Sequence, residues 1–120
     1  MKKRILVIDD DEDILEVLKI ILQDEGYQVI LSNTGAEAEN IPSLKPDLVL
    51  LDLRLAGSKK DGAQICMDIK SGNEVKHVPV MLISAEPDIR HIADRCGANA
   101  YVQKPFDIDH FLNQVKEYVA

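Results

Sequence analysis

Short, continuously apolar runs alternate along this chain with segments in which apolar residues recur at intervals of three and four. The first run, Arg4 to Ile8, is β-branched and stops at an acidic cluster, as expected of a strand buried on both faces. From about Glu12, the residues Ile14, Leu15, Val17, Leu18, Ile21 and Leu22 follow a helical period that Gly26 ends. Tyr27 to Leu31 reads as a second strand, and Ala36 to Ile41 as a short helix stopped by Pro42. Asp47 to Asp52 is a third strand, again ending on a carboxylate, and a loop with Gly57, Ser58, Lys59, Lys60 and Gly62 leads to a helix over about Ala63 to Lys70. Val78 to Ile83 is the fourth strand, ending at Ser84; Pro87 is expected in the first turn of a helix that Gly97 terminates. Ala100 to Val102 forms a short fifth strand, and Asp107 caps a last helix that turns Ile108, Phe111, Leu112, Val115 and Val119 to one side. Five β-α units imply an α/β fold, with right-handed crossovers placing five helices on both faces of a parallel sheet.

This topology directs attention to one rim. In open α/β sheets, ligands sit beyond the carboxyl ends of the strands, where the strand order reverses. In a doubly wound five-stranded sheet of order 2-1-3-4-5, Asp9 and Asp10 end strand one, Asp52 ends strand three, Ser84 ends strand four, and Lys104 follows strand five. Three carboxylates, a hydroxyl and an ammonium then converge. Two like charges 4 Å apart repel by about 4 kcal/mol at an effective dielectric near 20, so the carboxylates call for a cation. An all-oxygen site with few protein ligands suits Mg²⁺. A cation, a lysine and a hydroxyl together are equipment for phosphoryl transfer, whose transition state needs positioning and charge neutralisation more than covalent help. Asp52 stands alone at its strand end and is the candidate nucleophile; Asp9 and Asp10 are placed as a metal-binding pair.

Composition narrows the alternatives. The 120 residues, 46% hydrophobic and 29% charged, suffice for a single core, so residues 1–120 are expected to form one domain. The apolar runs are far shorter than the roughly 20 residues of a membrane-spanning helix, and the N-terminus has no signal-peptide core, which predicts a cytoplasmic location without membrane contact. A net charge of −7 opposes direct nucleic-acid binding. Cys66 and Cys96 lack metal-site spacing and read as buried free thiols. Asp11, Glu12 and Asp13 read as acidic residues complementing a helix dipole. Lys59 and Lys60 read as a solvated loop tip, and His77, His91 and His110 are too scattered to form a site.

Five stretches, Ile5-Leu-Val-Ile-Asp-Asp10, Pro46-Asp-Leu-Val-Leu-Leu-Asp52, Asp61-Gly62, Val78-Pro-Val-Met-Leu-Ile-Ser-Ala85 and Gly97-Ala-Asn-Ala-Tyr-Val-Gln-Lys-Pro-Phe106, closely resemble the receiver domains of two-component response regulators. The resemblance covers essentially the whole chain and implies a flavodoxin-like fold. It further implies that Asp52 accepts a phosphoryl group from a phosphohistidine of a histidine kinase or phosphotransfer protein. Asp9 and Asp10 would handle Mg²⁺, with Asp52 and the backbone carbonyl of Arg54 as further ligands. Ser84 and Lys104 would contact the phosphoryl oxygens, the Lys104-Pro105 peptide would be cis, and Tyr101 would reorient as Ser84 moves. Such a chain is a signalling switch and not an enzyme acting on external substrates. The switched face would be read by a downstream protein or an output domain, from a monomer or a phosphorylation-dependent dimer. One departure stands out: residues 55–60 replace the usual Met-Pro with a segment about two residues longer before Asp61, so the loop over the site is expected to differ in shape.

Two other functional classes fit an α/β domain with this rim less well. A Mg²⁺-dependent phosphatase using Asp52 as nucleophile calls for a second acid/base carboxylate two residues on, where Arg54 stands. A flavin mononucleotide binder calls for a Gly/Ser/Thr-rich first β-α loop, where this chain is acidic. A degenerate, phosphate-independent receiver is disfavoured by the presence of all five site residues. Finally, Arg54 lies two residues after Asp52 and Glu86 two after Ser84. The two are expected to pair across the mouth of the site and to slow attack by water on an acyl phosphate.

Overall fold

A computed structural model describes residues 2–33, 40–55 and 61–119. The described elements run β1 (Arg4–Ile8), α1 (Glu12–Asp24), β2 (Gln28–Ser32), α2 (Ile41–Leu44), β3 (Leu48–Asp52), α3 (Gly62–Ser71), β4 (Val80–Ser84), α4 (Ile89–Cys96), β5 (Ala100–Gln103) and α5 (Ile108–Val119). All strand pairs are parallel and the order is β2-β1-β3-β4-β5, as the sequence predicts.

The continuous apolar strands make sense once their two faces are followed. Successive side chains of a strand point to opposite sides, so β1, β3 and β4 feed two separate cores. Leu6, Ile8, Val49, Leu51, Val80 and Leu82 join Ile65, Ile69, Ile89 and Ala93 of α3 and α4. Ile5, Val7, Leu48, Leu50, Met81 and Ile83 join Leu15, Leu18 and Leu22 of α1 and Phe111 and Val115 of α5. A polar residue at either phase of these strands would face a dry core, so polar residues appear only where the strands end.

The helix ends follow local chemistry. Asp11 caps α1, its Oδ1 accepting the amides of Asp13 at 2.9 Å and Ile14 at 3.3 Å; the acidic first turn faces the positive end of the helix dipole. Asp107 accepts the His110 amide at 3.0 Å and starts α5 as expected. Gly97 ends α4 in the left-handed conformation, with φ of 81°, which spares the backbone the strain a side chain would meet there.

Two expectations need correction. Pro42 does not stop a helix; it lies in the first turn of α2, where its missing N–H is harmless, and the stop comes at Lys45 with φ of 50°. Residues 36–39 of the expected helix, and Ala56 to Lys60 of the lengthened loop with both lysines, lie outside the described residues. Pro87 is not in the first turn of α4; it sits in the turn before Asp88, the residue preceding the helix. Other boundaries shift by one or two residues, as strand ends commonly do.

The cysteines are free and buried, with Cys66 Sγ 3.5 Å from the Cys96 carbonyl oxygen. Burial pushes the Cys66 thiol up, which makes it a poor nucleophile and a small apolar filler between α3 and α4.

Candidate functional site

The parallel register brings the predicted residues to one rim. Ile8 pairs with Leu51 and Asp52 with Ile83, so Asp9, Asp52 and Ser84 fall at adjacent strand ends. Ser84 pairs with Gln103, and the Lys104 amide donates to the Ser84 carbonyl at 2.9 Å, which carries the lysine to the same rim. The Lys104-Pro105 peptide is cis, as the resemblance implies.

Carboxylate oxygens of Asp9, Asp10 and Asp52 lie within 4.8 Å of one another. Asp9 is only 2% exposed and Asp52 only 7%, whereas Asp10 is partly open to solvent. Each buried carboxylate is held by the backbone: Asp9 Oδ1 accepts the Asp11 amide at 2.9 Å, and Asp52 Oδ1 accepts the Leu53 amide at 2.9 Å. Lys104 Nζ lies 3.2 Å from Asp9 Oδ2 and 3.9 Å from Asp52 Oδ2. The lysine therefore answers both buried charges and sits closer to Asp9 than the rim topology alone suggests.

These charges do not cancel. The Asp52 carboxyl is pushed up to about 6, first by burial and next by the neighbouring charge on Asp9, with a smaller push from Asp10. Lys104 and the Leu53 amide pull the other way without compensating fully. An all-oxygen donor set with unrelieved negative charge, and with one carboxylate open to water, fits a hard divalent cation that keeps part of its hydration.

Two features of the site were invisible in the sequence. Gly62, which the sequence places only in the loop ahead of the third helix, is required for space: a Cβ on it would stand 2.1 Å from the Asp52 carbonyl oxygen and 2.7 Å from Leu53 Cα. Its amide donates to the Leu53 carbonyl at 2.9 Å, so the start of α3 buttresses the backbone that carries Asp52. Gln103, an exposed residue at the end of β5, donates from Nε2 to the Glu86 carbonyl at 3.3 Å. The expected ion pair is present: Arg54 Nε is 2.5 Å from Glu86 Oε1, and its terminal guanidinium nitrogen contacts the same oxygen. Tyr101 is 37% exposed on β5, and Ser84 is buried with its Oγ accepting the Glu86 amide at 3.2 Å.

Comparison with known proteins agrees with this architecture. The family model described as the response regulator receiver domain matches residues 5–116. Sporulation initiation phosphotransferase F of Bacillus subtilis is 35% identical over 120 residues, covering 99% of this chain and 95% of that protein. The DNA-binding response regulator MtrA of Mycolicibacterium smegmatis is 34% identical over 119 residues, and the chain spans about half the length of that relative. Among solved structures, the receiver domain of NtrX from Brucella abortus superposes with a TM-score of 0.86 at 33% identity, covering 96% of this chain and 97% of the other. With a five-stranded parallel sheet in this order and a family match over nearly its whole length, the chain belongs to the response regulator receiver domains of two-component systems.

Proposed function

We propose that residues 1–120 act as one phospho-accepting receiver, in which Asp52 takes a phosphoryl group from the phosphohistidine of a histidine kinase or phosphotransfer protein. The observation that carries this reading is the convergence of three carboxylates within 4.8 Å, with Lys104 at 3.2 and 3.9 Å from two of them. A carboxylate oxygen of Asp52 attacks phosphorus, the P–N bond breaks, and the imidazole leaves with the electron pair. Lys104 and the Ser84 hydroxyl would receive phosphoryl oxygens, and the Leu53 amide, donating to Asp52 Oδ1 at 2.9 Å, would fix the nucleophile. Asp9, Asp10, Asp52 and the Arg54 carbonyl would hold Mg²⁺, which when bound neutralises charge developing on the transferred group.

The output of this chemistry is a changed protein-interaction face around Ser84, β5 and the exposed ring of Tyr101, read by a downstream protein or an output domain. The chain works as a switch and turns over only its own phosphate. Direct nucleic-acid binding is no part of the reading, given the net charge of −7. Among the described residues no helix is long and apolar enough to cross a membrane, and we place the protein in the cytoplasm beside its phosphodonor, as a monomer or as a dimer formed on phosphorylation.

Incubation with acetyl phosphate followed by intact-mass measurement tests this function. A phosphoryl adduct is expected with Mg²⁺, is expected to be lost on chelation, and is expected to be absent from Asp52→Asn. An adduct that persists in Asp52→Asn would place the chemistry elsewhere.

The Arg54–Glu86 pair leads to a kinetic expectation. Arg54 follows Asp52 by two residues and its side chain, 81% exposed, is tied to Glu86; we take the pair to screen Asp52 from water without sealing it. Exposed pairs are weak, and removal of either partner should speed loss of the phosphoryl group by about two- to tenfold. Decay of the adduct in Arg54→Ala and Glu86→Ala at the wild-type rate would contradict the screening role.

A further inference from the structure

Glu86 is fastened at three points, each to a different part of the rim. Its amide donates to Ser84 Oγ at 3.2 Å, its carboxylate holds the Arg54 guanidinium, and its carbonyl accepts Gln103 Nε2 at 3.3 Å. Ser84 ends β4, Arg54 follows β3, and Gln103 ends β5 directly across the register from Ser84. The connection between β4 and α4 is thereby clasped to the strand end that carries Ser84.

We propose that Glu86 and Gln103 are positioning residues that hold the Ser84 hydroxyl toward the β4–α4 connection, and that this clasp competes with a phosphoryl group on Asp52 for the hydroxyl. The inference rests on the phospho-accepting reading above and adds to it a named brake built from residues outside the reacting atoms. Ser84 is 2% exposed, so its hydroxyl has few places to turn. In the clasped arrangement its oxygen is set by the Glu86 amide. Turning toward a phosphoryl oxygen gives up that hydrogen bond, and the β4–α4 connection so released gives up the Gln103 contact to the Glu86 carbonyl with it. A contact made in only one of two states biases the equilibrium toward that state, and its removal shifts the equilibrium by the same factor.

Gln103→Ala removes the Nε2 donor and leaves Asp9, Asp10, Asp52, Ser84 and Lys104 in place. The probe is beryllofluoride with Mg²⁺, a phosphoryl mimic that adds to carboxylates, titrated by calorimetry. The variant is expected to bind it about two- to tenfold more tightly than wild type, the range set by one net hydrogen bond. Without the mimic, the urea midpoint of the variant should fall and hydrogen exchange at the Glu86 amide should accelerate. Gln103→Glu, which keeps the size but loses the donor, should reproduce both effects if the alanine variant folds poorly. These opposite signs separate a brake from a merely structural residue. Weaker stability with unchanged or weaker binding of the mimic would overturn the proposal. Failure of the wild type to bind the mimic would overturn the phosphoryl reading and the competition with it, while the Glu86 exchange rates would still report whether the clasp exists.

Discussion

Replacement of Gly62 by alanine should destabilise the protein by about 3 kcal/mol, at the upper end of the usual cost of overpacking. The added methyl would meet the backbone of residues 52 and 53: the Asp52 carbonyl oxygen at 2.1 Å, Leu53 Cα at 2.7 Å and the Asp52 carbonyl carbon at 2.9 Å. No rotamer change relieves such contacts. Either the start of α3 moves away, breaking the 2.9 Å bond from the Gly62 amide to Leu53, or the end of β3 moves and takes Asp52 with it. Urea denaturation should show a lower midpoint with an unchanged slope. Gly26 is the natural comparison: its φ is +92° and a methyl group there would find nothing within 4 Å, so Gly26→Ala should cost only the left-handed backbone penalty, about 1 kcal/mol. Equal losses in the two variants would refute the close-packing account of Gly62.

Asp52→Asn should, in the absence of divalent metal at pH 7, make the protein more stable than wild type by about 1–3 kcal/mol. The Asp52 carboxyl is raised from 3.8 to about 6, chiefly by burial and then by Asp9. A shift of that size corresponds to about 3 kcal/mol between the two protonation states. The folded protein therefore holds this proton more tightly than the unfolded chain does. Its contribution to stability is fully present below the unfolded value near 3.8, declines as pH rises, and is lost above about 6. Asparagine carries no charge to desolvate and keeps an oxygen for the Leu53 amide. Thermal or urea unfolding in chelator, from pH 4 to 8, should show the variant gaining on wild type as pH rises. Added Mg²⁺ should reverse the ranking, since a ligand that binds only the folded state stabilises it and the variant lacks a ligand carboxylate. A wild type more stable than Asp52→Asn in chelator at pH 7 would mean that the site neutralises its own charge.

Much of the molecule can be read directly from the order of its residues. The run Leu48 to Leu51 has no polar position at either phase, and only a strand covered on both faces can bury all four side chains, so a parallel sheet between helical layers follows from periodicity alone. The site residues are legible for a related reason. In such strands a charged side chain is tolerated only at the end, and in this topology the carboxyl ends share one rim, so Asp9, Asp10, Asp52, Ser84 and Lys104 can be assigned to a common place without coordinates. The pairing of Arg54 with Glu86 is likewise predictable, because each follows a site residue by two positions on adjacent strands.

What tertiary structure alone decided is set by distances between segments remote in sequence. Pro42 can end one helix or begin the next, and only the placement of α2 beside the sheet, with Lys45 in the left-handed region, settles which. The preference of Lys104 for Asp9 over Asp52 depends on 0.7 Å between two oxygens, 3.2 against 3.9 Å, which no spacing rule can supply. Gly62 gives no sign in the sequence of what it touches, because the reason for the missing side chain is the backbone of residues 52 and 53. Gln103 gives no sign of a partner in the sequence until β5 is laid beside β4 and its amide meets the Glu86 carbonyl. Periodicity and strand-end chemistry are local properties and determine the fold and the membership of the rim; steric fit and hydrogen-bond partnership arise only when the strands are in register, and they determine how the rim is held.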